Sequence, residues 1–208
     1  MRSAPDFPGR ARLIQAIDHI HESGFNPERL CCALEDLHRT GGIALPAAVL
    51  SPRPDRYTRR QLHACPRWGY ELIVMTWGPG HGSPLHDHDG HWCVECLWHG
   101  ALEITRYDPC ENDADGRMRF ARQTRTRARA GQGAWLDSSS QYHTMRNPDP
   151  AEVAVSLHVY PLSFRRSGWF EPAADGWHQQ RRIGEVTLDE WDQTIEANDL
   201  PPSPADAV

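Results

Sequence analysis

The 208-residue sequence predicts an all-β core, a sandwich or barrel, with two helices before it and a short helix after it. Three observations predict this class. Between residues 57 and 160, apolar or alternating runs of strand length recur, separated by Gly/Pro turns. Before residue 45, apolar residues fall instead at helical spacing. After Pro161 the pattern weakens, until Thr187-Leu188-Asp189-Glu190 forms a capping box.

The elements follow in order. Leu13, Ile14, Ile17 and Ile20 give residues 10–23 an apolar helical face, and Gly24 stops it. A second helix starts with Asn26 as N-cap and Pro27 at its first position. Leu30, Ala33, Leu34 and Leu37 form its apolar face, and Gly41-Gly42 ends it. Residues 43–56, with three prolines, read as loop, and Tyr57 to Leu62 reads as a strand edge. Tyr70 to Trp77 is a nearly continuous apolar strand. Trp92 to Trp98 and Ala101 to Tyr107 read as strands joined by a tight hairpin turn at His99-Gly100. Pro109 to Gly116 reads as a polar turn, and Arg117 to Arg129 as a strand with a solvent face. Ala134 to Leu136, a short strand opened by His143, and Val153 to Tyr160 complete the predicted sheets. The capping box predicts a helix from about Leu188 to Glu196, before a loose Pro-rich tail. The expected organisation is a helical segment over 1–45, a barrel domain over 46–170 and an extension over 171–208.

Composition excludes some functions. The formal net charge is −6, which argues against a nucleic-acid footprint. No apolar run has the length of a membrane span, and Met1 to Asp6 lacks the apolar core of a signal peptide. The expectation is a soluble cytoplasmic protein, a monomer or weak homo-oligomer. Six cysteines are then expected as free thiols. Cys93 and Cys96 lie three apart on a strand, so they face opposite sides and suit no joint redox or zinc role.

Chemistry concentrates between Gly80 and Gly100. His86 and His88 stand one residue apart, so an extended chain aims both imidazoles to one side and Asp87 to the other. Neutral imidazole is the commonest metal-binding side chain. A lone His-x-His is also compatible with two loop histidines, so a third ligand decides, and His143 is the best candidate. His91, in the turn beside the pair, has no obvious aim.

Gly80, His86, His88 and Gly100, together with His143 and Asn147, resemble the two motifs of the cupins, double-sheet jelly-roll barrels. The usual glutamate of the first motif is replaced by Cys93, and the Pro-x-Gly before the last histidine by Ser138-Ser139-Ser140. Tyr57-Thr58-Arg59, Trp77-Gly78-Pro79-Gly80-His81-Gly82-Ser83, Cys93 and Ser156-Leu157-His158-Val159-Tyr160 make the chain similar to the cysteine dioxygenase family of thiol dioxygenases, over roughly residues 55 to 165. The resemblance implies a cupin barrel with N-terminal helices and a short C-terminal helix. It implies Fe(2+) held by His86, His88 and His143, with L-cysteine and O2 as substrates and a sulfinic acid as product.

Each remaining site residue has an implied role. Arg59 would anchor the substrate carboxylate, because guanidinium pairs with carboxylate in two parallel bonds. Tyr57 would help to line the substrate site. Arg59 and its neighbour Arg60 face opposite sides of the strand, and the family's Tyr-x-Arg favours Arg59. Ser156, His158 and Tyr160, spaced by two, would share one interior face as a hydrogen-bonded chain, with the Tyr160 hydroxyl toward the substrate. Cys93 and Tyr160 match the partners of a thioether cross-link found in animal members. A cross-linked pair and an ordinary buried thiol are both open. 3-Mercaptopropionate or another small thiol carboxylate is the alternative substrate, and a non-redox cupin that binds a small acid is the alternative class.

Overall fold

The computed structural model describes residues 4–137 and 141–191. Helices α1 (Arg10–Glu22) and α2 (Pro27–Thr40) come first. In α2 the Asn26 side chain accepts a hydrogen bond from the Arg29 N–H at 2.9 Å, a cap that contributes about 1 kcal/mol. Leu13, Ile17 and Ile20 of α1 and Leu30, Cys31, Leu34 and Leu37 of α2 are buried. Each large aliphatic among them contributes roughly 1.5–3 kcal/mol by leaving water.

Five strands form the sheet under the helices: β1 (Thr58–Cys65), β2 (Tyr70–Trp77), β4 (Cys93–His99), β7 (Gly133–Leu136) and β9 (Ala154–Pro161), in the order β1-β2-β9-β4-β7. Six strands close the second sheet: β3 (Leu85–His86), β5 (Ala101–Asn112), β6 (Arg117–Arg129), β8 (His143–Arg146), β10 (Arg166–Pro172) and β11 (Trp177–Glu185), in the cyclic order β10-β11-β6-β5-β8-β3. This is the expected two-sheet jelly-roll barrel. The first sheet is covered on both faces. Leu72, Val74, Val94, Cys96, Leu157 and Val159 pack toward the helices, while Ile73, Met75, Trp77, Cys93, Leu97 and Tyr160 face the barrel interior. Burial on both faces explains why β2 is apolar without alternation. It also separates Cys93 from Cys96, as strand alternation requires.

Four readings of the sequence need correction. His99-Gly100 is not a hairpin turn: β4 pairs with β7 and β9, whereas β5 pairs with β6 and β8. The turn carries the chain from one sheet to the other. Gly100 has φ of 75°, and a Cβ there would lie 2.6 Å from the Val153 carbonyl oxygen, so the crossover needs glycine. The polar segment after Pro109 is strand as far as Asn112, because β5 and β6 form one long ribbon. The weak pattern after Pro161 conceals β10 and β11, whose described side chains are largely polar or half-buried. Finally, Leu188 to Trp191 is not helical; the rest of that predicted helix and the tail lie outside the described residues, as do Ser138 to Ser140. No helix among the described residues is long and apolar enough to cross a membrane.

Candidate metal centre

Strand register brings the three histidines together. His86 of β3 pairs directly with His143 of β8, and their ring centroids are 4.3 Å apart. His88 lies just beyond β3, before a turn in which Asp89 and Gly90 take positive φ, and its ring is 5.1 Å from that of His143. One ring nitrogen of each histidine lies within 4.8 Å of those of the other two. Asp87 points the other way. Its carboxylate accepts from the Gly168 N–H at 2.8 Å, and its N–H donates to the Gly168 carbonyl at 3.1 Å, which ties β3 to β10. His91 turns back on its own loop, with Nδ1 about 3 Å from the carbonyls of His88 and Asp89.

The donor set fits a divalent first-row metal. His86 Nδ1 lies 3.0 Å from the Pro84 carbonyl and His143 Nδ1 lies 3.0 Å from that of Gln141. A carbonyl accepts only, so both Nδ1 atoms carry the proton and both Nε2 lone pairs are left for a metal. His88 Nδ1 is buried with no hydrogen-bond partner. Burial lowers the pKa of His86 to about 4, with the Arg59 cation adding to the effect and the Pro84 hydrogen bond opposing it. Burial also takes His88 and His143 well below the usual range, helped by the neighbouring histidines. All three imidazoles are therefore neutral at neutral pH, the form that binds metal.

A cavity of about 270 Å³ opens on this cluster. Arg59 and Tyr57 line it, along with His158 and Tyr160. Arg59 carries its Cζ 5.4 Å from the centre of the Tyr160 ring, and its Nε and Nη2 are buried with no hydrogen-bond partner. Arg60 faces the other way, donating to Thr58 Oγ1 at 2.9 Å and lying against the Trp191 ring. Tyr57 stacks on Trp77 at 4.5 Å.

Ser156, His158 and Tyr160 project into the barrel from β9 and are each at most 2% exposed. Ser156 Oγ lies 2.8 Å from His158 Nε2, and the Tyr160 hydroxyl lies 3.2 Å from His158 Nδ1. The Trp77 indole N–H donates to Ser156 Oγ at 2.9 Å. Because indole only donates, the Ser156 hydroxyl hydrogen is free to face His158. Cys93 is fully buried, its thiol in hydrogen-bond contact with the Tyr160 hydroxyl and 3.9 Å from His158 Nδ1. Burial raises the pKa values of both Cys93 and Tyr160 well above their ordinary values.

Sequence reasoning missed several neighbours. Phe164 stacks on Tyr160 at 4.9 Å and meets the edge of His88. Val186 and Thr187 close part of the cavity wall. Their segment is held by Asp189, which accepts from the Arg59 N–H at 2.9 Å and from Arg56, while the Asp189 N–H donates to the Arg59 carbonyl at 2.7 Å. The capping-box pattern at Thr187 to Glu190 pointed to a helix and gave no signal of this contact. Trp135, in the short strand β7, is 37% exposed and takes no part in the cavity wall. Glu95 was also missed, although alternation from Cys93 along β4 marks it as inward-facing.

A family model described as cysteine dioxygenase type I matches residues 48–171, a span that contains all nine candidate site residues. The chain belongs to this family. The type 1 cysteine dioxygenase of Rattus norvegicus is 33% identical over 95 residues, 46% of each chain. That of Danio rerio is 31% identical over 102 residues, 49% of this chain and 50% of its own. The chain thus spans about half the length of the curated relatives it matches. Among solved structures, an uncharacterized conserved protein with a double-stranded beta-helix domain from Klebsiella pneumoniae aligns with 60% of this chain and 92% of its own, at 17% identity and a TM-score of 0.44. Val186 to Trp191, which border the cavity and β1, lie outside the span of the family model.

Proposed function

We propose that this protein is a non-haem iron thiol dioxygenase that adds both atoms of O2 to the thiolate sulfur of L-cysteine, giving cysteine sulfinic acid. One observation carries the reading: a guanidinium with two partnerless buried nitrogens shares a cavity with three neutral, converging imidazoles. Two buried guanidinium nitrogens without acceptors call for an anion, and a carboxylate matches the fork. The cavity, at about 270 Å³, is at the small end for ligand sites, which suits an amino-acid-sized thiol.

His86, His88 and His143 would hold Fe(2+), and the iron supplies the redox chemistry between thiolate and O2. With no carboxylate among these donors, the metal's positive charge would be left for a ligand that brings its own negative charge. Arg59 binds and orients the substrate carboxylate, assisted by the Tyr57 wall. Tyr160 donates its hydroxyl hydrogen toward the substrate, and His158 and Ser156 hold that orientation. Cys93 packs beside Tyr160, where it either fixes the ring by a thioether bond or fills space as a thiol.

An oxygen electrode tests the reading. Iron-loaded protein is given cysteine, 3-mercaptopropionate and cysteamine in turn. Cysteine is expected to drive the fastest uptake. Faster uptake with 3-mercaptopropionate replaces the substrate, and no thiol-dependent uptake leaves a cupin that only binds a small acid.

A further inference from the structure

Glu95 is a buried acid without an assigned task. It lies on β4 directly opposite His158 of β9 in the sheet register and is 6% exposed. Its Oε2 has no hydrogen-bond partner and lies 3.7 Å from His158 Nδ1. A buried carboxyl oxygen with nothing donating to it is costly. A structural side chain at this interior position would be apolar, as at Leu97 on the same face. Glu95 also lines a cavity of about 30 Å³ with Gln132 and Ser156, which has room for one water.

We propose that Glu95 is a positioning residue for the Ser156–His158–Tyr160 chain: its carboxylate keeps the His158 proton on Nδ1, so that the Tyr160 oxygen is approached by that N–H and its own hydrogen points into the metal cavity. This rests on the thiol dioxygenase reading. His158 has two tautomers. With the proton on Nδ1, Ser156 donates to Nε2, Nδ1 donates to Tyr160, and the tyrosine hydrogen is free for the substrate. With the proton on Nε2, the tyrosine instead donates inward to Nδ1 and is lost to the substrate. A negative charge close to Nδ1 favours the first arrangement, and a protonated Glu95 removes that bias. Burial raises the pKa of Glu95 to about 7, opposed by Arg106, so the bias changes near neutral pH.

The ionisable groups around Glu95 come from several elements. His158 and Tyr160 face it from β9 and Cys93 from its own strand. Arg106 acts from β5 and Cys31 of α2 from the helix side, while Arg59 of β1 acts on His158 and Tyr160. Burial keeps His158 neutral and the Cys93 and Tyr160 hydrogens in place near neutral pH, and arginine stays charged. Glu95 is thus the member of this group that changes charge there.

Two measurements on the full chain test this. Long-range nitrogen NMR of histidine-labelled protein without added iron should show the His158 proton moving toward Nδ1 between pH 6 and pH 8, in step with ionisation of a glutamate carboxyl. In Glu95→Gln the His158 signals should not change over that interval. This measurement needs no activity, and its wild-type half needs no variant. In iron-loaded protein, kcat with the preferred thiol should rise about tenfold from pH 6 to pH 8, the change expected for one group of pKa near 7. For Glu95→Gln it should stay flat within about twofold, since kcat does not report ionisation of the free thiol. A Glu95 carboxyl that does not ionise in this range, or a Glu95→Gln variant that keeps the wild-type pH profile, overturns the proposal. If the wild type oxidises no thiol, the function falls, while the NMR result still decides the role of Glu95.

Discussion

Replacing Arg59 by alanine tests the proposed anchoring of a substrate carboxylate. The guanidinium lies over the Tyr160 ring with Nε and Nη2 buried and unpartnered, so its hydrogen-bonding capacity is available to a ligand. Hydrogen bonds to charged groups contribute about 1.5–3 kcal/mol each. At about 1.4 kcal/mol per tenfold change, losing one such bond lowers kcat/KM for cysteine roughly 10- to 150-fold, and losing a two-bond fork reaches the upper end or beyond. Cysteamine has no carboxylate, so its kcat/KM should change by less than about threefold, the size of a small electrostatic effect. Arg59→Lys keeps the charge without the fork and should fall between wild type and Arg59→Ala for cysteine. Initial rates of O2 consumption across both thiols supply every value. Equal losses for cysteine and cysteamine, or an unchanged value for cysteine, would refute the anchor role.

Four further outcomes follow. Asp189→Ala removes the carboxylate that holds residues 186–191 on β1, so unfolding should become easier by about 1–3 kcal/mol in a urea melt and the KM for cysteine should rise; an unchanged melt and KM would dismiss the strap. Gly100→Ala combines a left-handed φ of 75° with backbone 2.6 Å away, and should cost at least about 1–2 kcal/mol in the same assay. His158 has a pKa of about 3 when folded, against about 6.5 unfolded, so below pH 6.5 the unfolded chain holds the extra proton. Stability should therefore fall as pH drops from about 6.5 toward 3, and His158→Gln should remove about 1.4 kcal/mol per pH unit from that slope; a variant with the wild-type slope would contradict this. Cys93→Ser should leave iron content unchanged, because Cys93 is outside the histidine cluster, and loss of metal would show that its role is misread.

How much of this was legible in the sequence depended on what kind of signal each residue carried. The ligands could be read because His86 and His88 sit at a spacing that aims both rings together, and because a family motif pointed to His143. Their closeness in space comes from the β3–β8 register, which no local pattern encodes. Strand alternation put Arg59 and Arg60 on opposite faces, but only the resemblance to the family's Tyr-x-Arg pointed to Arg59 as the inward one. Ser156, His158 and Tyr160 were visible as a period of two, but their connection to Trp77 depends on the β2–β9 pairing. The helices were clear from caps and apolar spacing. The β4–β5 junction misled because a short glycine turn between strands looks the same whether the chain folds back or crosses to the other sheet. Strands β10 and β11 gave little signal because their sequences are mostly polar and most of their described side chains are at least partly exposed. Asp189 was disguised by a genuine capping-box pattern, whose aspartate instead holds the backbone of a distant strand.

The most direct test of the central claim is the mass of the product formed from cysteine by iron-loaded protein under 18O2. Cysteine sulfinic acid carrying two 18O atoms is expected, with its formation lost in His143→Ala together with bound iron. A product with one 18O atom, cystine as the sole product, or full activity in His143→Ala would contradict it.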